Sequence, residues 1–106
     1  MKENFYHGIL LGILSYKGGW YVTSNRESGD GFSDIMVRID DEDVGIIIEV
    51  KYAENGEEEE MSRKALLQIH EKHYEKVLLD EDIHKVMNYG IACNKKKCKV
   101  SMEISE

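Results

Sequence analysis

Two hydrophobic rhythms alternate along the chain. Residues 5–16 are apolar on most sides of a helical wheel, which predicts a buried helix capped by Asn4 and stopped by Gly18-Gly19. Gly8 and Gly12 lie one turn apart on it and are expected to let the helix approach a sheet closely. Residues 20–25, 33–39 and 44–51 read as three strands, joined by a turn at 28–31 and an acidic turn at 40–43, which predicts an antiparallel meander. From about residue 57 to 79 the period becomes helical, with Met61, Ala65, Ile69 and Val77 on one stripe and Leu67, Tyr74 and Leu78 on the next. Alternation returns with Met87, Tyr89, Ile91 and Cys93, and again with Cys98, Val100, Met102 and Ile104, around a hairpin at 94–97. The expected order is αβββαββ. Its long connection through the second helix permits a parallel crossover beside the third strand.

Composition narrows the class. A chain of 106 residues with 42% apolar content supports one modest core, so residues 1–106 are read as a single α/β domain. Because the sequence begins almost on its first helix, that domain is expected to be one excised from a longer protein. The apolar run at 9–14 is too short to cross a bilayer and lacks the flanks of a signal peptide, so no membrane role and a cytoplasmic location are expected. Cys93 and Cys98 fit that compartment as reduced, packed thiols, and two thiols without partners do not make a zinc site. The net charge of -7 opposes non-specific binding to nucleic acid. Acid gathers at 40–43 and 54–60, while Lys95, Lys96, Lys97 and Lys99 form a basic hairpin, expected to be a solvated tip. Glu57 to Glu60 fall where a helix begins and complement its amide dipoles.

The chemistry concentrates at Asp34 and at Ile46-Ile47-Ile48-Glu49-Val50-Lys51. Alternation along a strand sends Glu49 and Lys51 to one face and Ile48 and Val50 to the other. A strand of isoleucines ending in two charges is either an ion pair at a sheet edge or a site. Gln68, flanked at helical spacing by Lys64 and Lys72, adds a polar stripe on the second helix.

An Asp, a spacer, then Glu, any residue and Lys resembles the PD-(D/E)XK nuclease superfamily. The likeness is closer to one branch, the small nuclease-like domain at the C-terminal end of AAA-ATPase-like bacterial proteins. It rests on Tyr6-His7-Gly8, Asn25-Arg26-Glu27-Ser28-Gly29, Gln68-Ile69 with Tyr74, and Tyr89-Gly90-Ile91-Ala92, and it spans nearly the whole chain. Ser33 stands where the superfamily name has Pro, a position that shapes the strand entry and supplies no ligand.

The resemblance implies a restriction-endonuclease-like fold, a central mixed sheet flanked by two helices. It also implies metal-dependent hydrolysis of a phosphodiester in nucleic acid, DNA before RNA. Asp34, Glu49 and the Val50 carbonyl are then expected to bind Mg²⁺ or Mn²⁺, with Lys51 orienting the attacking water. Glu27, placed across the turn from Asp34, is the expected extra ligand. Gln68, Tyr74 and His7 are the expected supporting or substrate-touching residues, whereas His70, His73 and His84 have no ligand spacing. Acidic charge and small size point to dependence on an AAA-ATPase-like partner or on a homodimer. The alternative is a catalytically silent module that keeps the fold and contacts protein. Glycoside hydrolysis by Glu27 and Glu49 leaves Lys51 without a role and ranks far lower.

Overall fold

A computed structural model describes residues 2–26, 33–72, 74–95 and 97–106. Helix α1 (Lys2–Ser15) leads into β1 (Tyr21–Arg26) and β2 (Ser33–Ile39), then a short 3₁₀ turn (Asp40–Glu42) and β3 (Val44–Tyr52). Helices α2 (Glu58–Glu71) and α3 (Tyr74–Asp80) follow, and β4 (Lys85–Cys93) and β5 (Cys98–Ser105) end the chain. The five strands form one sheet in the order β1-β2-β3-β4-β5. All neighbours are antiparallel except β3 and β4, which run parallel because α2 and α3 carry the chain back across one face. This is the expected α/β mixed sheet with helices on both sides.

Adjacent strand residues feed two separate cores. Ile35, Val37, Ile48 and Val50 face α1, where Tyr6, Leu10, Leu11 and Leu14 meet them. Ile47 projects the other way and packs with Ile69, Leu78, Ile83 and Val86 beneath α2 and α3. Gly90 on β4 lies directly under α2, since a β-carbon there would stand 2.2 Å from the Ser62 carbonyl oxygen. Ser62 is buried and shares a 2.8 Å hydrogen bond with the Ser101 hydroxyl, which ties the same turn of α2 to β5.

Several expectations are corrected. Helix α1 starts at Lys2, so Asn4 lies within its first turn and does not cap it. Among the described residues only one side of α1 is covered: Ile9 and Ile13 are exposed, as is Tyr16 just past its end, and a β-carbon at Gly8 or Gly12 would have nothing within 4 Å. A lone helix on a sheet buries a single stripe, whatever the rest of its wheel contains. The expected helix at 57–79 is two helices with a break after Lys72. Val100, Met102 and Ile104 do alternate along β5, yet α1 packs over the other end of the sheet and leaves them half exposed.

The cysteines are also corrected. Cys93 and Cys98 form a register pair across the β4–β5 hairpin and are joined by a disulfide, so they are not reduced thiols. Their pairing withdraws the support that reduced thiols gave to a cytoplasmic location. No helix among the described residues is long and apolar enough to cross a membrane.

The acid run at the start of α2 acts structurally, as its position predicts. The buried Glu58 carboxylate accepts the Gly56 N–H at 3.0 Å and the Asn94 side-chain amide, and Lys97 lies 3.8 Å away. Lys99 pairs with Glu59, so two of the hairpin lysines are turned toward the helix start. Burial raises the Glu58 pKa, but the Gly56 and Glu58 N–H groups, Lys97 and Asn94 outweigh it and hold the carboxyl below its ordinary value. That stabilisation is complete above the pKa of the unfolded chain and is lost as pH falls through the lower folded value. Below about pH 4, thermal unfolding temperature is therefore expected to drop more steeply for wild type than for Glu58→Gln. Parallel pH profiles would refute the assignment.

Candidate active site

Asp34 and Glu49 face each other as register partners on β2 and β3, the second and third of five strands. The antiparallel register between Ser33↔Val50 and Ile39↔Val44 brings them together, and alternation then places Lys51 on the same face. None is at a sheet edge. Asp34 is 1% exposed, Glu49 0% and Lys51 4%. Two carboxylates this deeply buried and this close repel each other and lose hydration, so nearby cations are needed to hold both in the charged form.

One such cation comes from a residue that sequence alone placed only in a polar stripe. Lys72, at the C-terminal cap of α2, sets its Nζ 3.8 Å from Glu49 Oε1 and 4.0 Å from Asp34 Oδ2. Its side chain is 18% exposed, against 1% and 0% for its acidic partners. At an effective dielectric of about 20, each contact of this length is worth about 4 kcal/mol of gross Coulomb attraction, comparable to the repulsion between two adjacent acids. Together Asp34, Glu49, Lys51 and Lys72 form a cluster with no net charge.

Gln68 lies one turn before Lys72 on α2, and its Oε1 is buried with no hydrogen-bond partner among the described residues. The α2 stripe expected from spacing therefore reaches the acids through Lys72. His7 does not reach them. Its Nε2 hydrogen-bonds the Ser24 hydroxyl at 2.5 Å, and Ser24 is the register partner of Ile35, on the face covered by α1. The sheet separates that ring from Asp34 and Glu49. Tyr74 opens α3 immediately past the break, and its side chain lies outside the described residues, as do Glu27 and His73. His70 pairs with Glu103 at 2.7 Å and His84 with Asp43, both away from the acids.

The donor chemistry suits a hard divalent cation. Among the described residues no group of three or more His, Cys, Asp or Glu side chains is gathered. A pair of carboxylates is nevertheless the set that Mg²⁺ uses where water and substrate phosphate complete its octahedron. A position within 4 Å of both acids already receives a positive charge, from Lys72.

On the same face, beyond the acids, a groove of about 420 Å³ runs along β1 and β2 toward α3. Tyr21, Thr23, Met36, Arg38, Leu78 and Glu81 are among its lining residues. Arg38 is its cation, 3.7 Å from Asp40 and 3.6 Å from Glu81.

A family model described as PD-(D/E)XK nuclease superfamily matches residues 1–103. Comparison with curated proteins and with solved structures gave no match.

Proposed function

The chain belongs to the PD-(D/E)XK nuclease superfamily, and from that footing we propose that it is a divalent-metal-dependent nuclease acting on DNA. The observation that carries this is the buried Asp34–Glu49 pair on adjacent strands, with Lys51 on the same face and a cation within 4 Å of both acids. In this proposal Asp34, Glu49 and the Val50 main-chain carbonyl hold Mg²⁺ or Mn²⁺. When bound, such an ion supplies a water of lowered pKa and positive charge for the scissile phosphate.

The chain's own residues do the rest. Lys51 orients the attacking water through its ammonium group and offsets charge that grows on the non-bridging oxygens. Water oxygen bonds to phosphorus as the water loses a proton to solvent, one P–O ester bond breaks, and the leaving oxygen takes up a proton from solvent, giving a phosphate monoester and a free hydroxyl. Gln68, with its buried acceptor, is proposed to support the site from α2, and Glu27 to add a further ligand. The groove along β1 and β2 shares the face of the acids, and Arg38 is proposed as a phosphate contact there in place of Asp40 and Glu81.

A net charge of -7 works against binding a polyanion by this chain alone. A partner, either an AAA-ATPase-like domain or a second copy, is therefore proposed to complete the substrate surface. If the site has fallen silent, the same fold serves as a protein-binding module.

Calorimetric titration of Mn²⁺ separates these. Wild type is expected to bind one ion, and Asp34→Asn and Glu49→Gln are each expected to weaken binding by about tenfold or more, as loss of one charged ligand of two requires. Wild-type affinity in both variants would rule out the carboxylate pair as the metal site. Binding without cleavage of single- or double-stranded DNA would favour the silent module.

A further inference from the structure

Lys72 carries a role that the family's Asp, Glu and Lys do not describe. It approaches the two acids from the helix side, from the last turn of α2, while Lys51 rises from β3 itself. Its amine is near 4 Å from one oxygen of each carboxylate, so it stands beside both acids at once. An ammonium there and a divalent ion between the same carboxylates repel each other, and the electrostatic cost is large because both acids are almost wholly buried. Occupation by one therefore disfavours the other.

We infer that Lys72 is the resident counter-ion of the metal-free site, competing with the divalent cation for Asp34 and Glu49 and swinging out of the pair when the ion enters. This rests on the divalent-cation site proposed above. The position of Lys72 suits such a movement. It ends α2, its backbone N–H still bonds the Gln68 carbonyl, and its side chain is the most exposed of the cluster. A flexible four-carbon stem lets the ammonium leave without moving the helix. Charge changes with it. With all four ionised the side chains are neutral together without metal, and once the ion has replaced Lys72 the two acids, Lys51 and the ion carry one net positive charge, matched to an anionic phosphate.

The test is Mn²⁺ affinity by calorimetry and the Mn²⁺-induced rise in thermal unfolding temperature, neither of which needs turnover. Lys72→Met is expected to bind Mn²⁺ about tenfold more tightly than wild type, to unfold at lower temperature in EDTA, and to gain more from added Mn²⁺. Lys72→Arg is expected to restore wild-type values, and Lys64→Met, which removes an exposed charge from the same helix, to stay within about twofold. If Lys72→Met is unfolded without metal, Lys72→Gln carries the same comparison. Equal or weaker Mn²⁺ affinity in Lys72→Met and Lys72→Gln, with wild type binding normally, overturns the inference alone. Absence of Mn²⁺ binding in all the proteins overturns the metal site itself and the inference with it.

Discussion

Gly90→Ala is expected to destabilise the fold by about 3 kcal/mol or more, beyond the usual cost of one surplus methyl in a core. The new β-carbon would stand 2.2 Å from the Ser62 carbonyl oxygen, 2.6 Å from the Leu66 nitrogen and 3.1 Å from the Leu66 α-carbon. All three are helix backbone, which has no rotamer to change. Helix α2 must lift as a body, and it carries the buried Ala65 and Ile69 and the Ser62 hydroxyl that bonds Ser101. At Gly45 the nearest obstacle is instead the tip of the Leu78 side chain, so alanine is milder there. Thermal unfolding measures the difference: a drop of about 10 °C or more is expected for Gly90→Ala in a domain of this size. An unchanged midpoint would mean that α2 does not rest on β4 as described. Because Gly90 is the register partner of Glu49, any folded fraction is also expected to lose the Lys72 contacts.

Lys51→Met is expected to reduce the rate of phosphodiester cleavage by about 10²–10³, equivalent to about 3–4 kcal/mol of transition-state stabilisation. Mn²⁺ affinity is expected not to fall, because in the proposed site Lys51 supplies charge and orientation and no metal ligand. That combination separates it from Asp34 and Glu49, whose loss acts on binding, and from Lys72, whose loss tightens binding. Single-turnover cleavage with saturating Mn²⁺, set beside calorimetry, reads both quantities. Cleavage at the wild-type rate would remove Lys51 from the chemistry.

Much of this arrangement is readable in the sequence because strand periodicity is strict. Once Glu49 and Lys51 are two apart on a strand, they share a face. A meander with a short acidic turn brings Asp34 opposite Glu49 with little freedom, as the register shows. The parallel placement of β4 follows in the same way from the length of the helical connection. The remaining features depend on packing in three dimensions. Nothing in residues 70–75 contains the Gly or Pro that would announce a break, yet α2 stops there and its final lysine turns to the acids. His7 lies in a motif beside other site segments, but its helix packs on the far side of the sheet. The apolar wheel of α1 gave no warning of its exposed stripe, since composition does not say how many layers cover a helix. Cys93 and Cys98 were correctly placed across a hairpin, and their oxidation state is not a property of spacing.

The single parallel pairing in the sheet also orders events in time. Asp34 and Glu49 meet through β2 and β3, whose connection spans only a few residues, whereas β4 must close a loop of more than thirty residues through α2 and α3 before it aligns with β3. Closing the longer loop costs more entropy and is the slower step. During assembly, the two acids are thus expected to come side by side before the helix that bears Lys72 has docked. Mutual repulsion between them opposes the early hairpin, and the late arrival of the helix relieves it. The cluster is accordingly expected to act as a kinetic brake on folding, released as the sheet is completed.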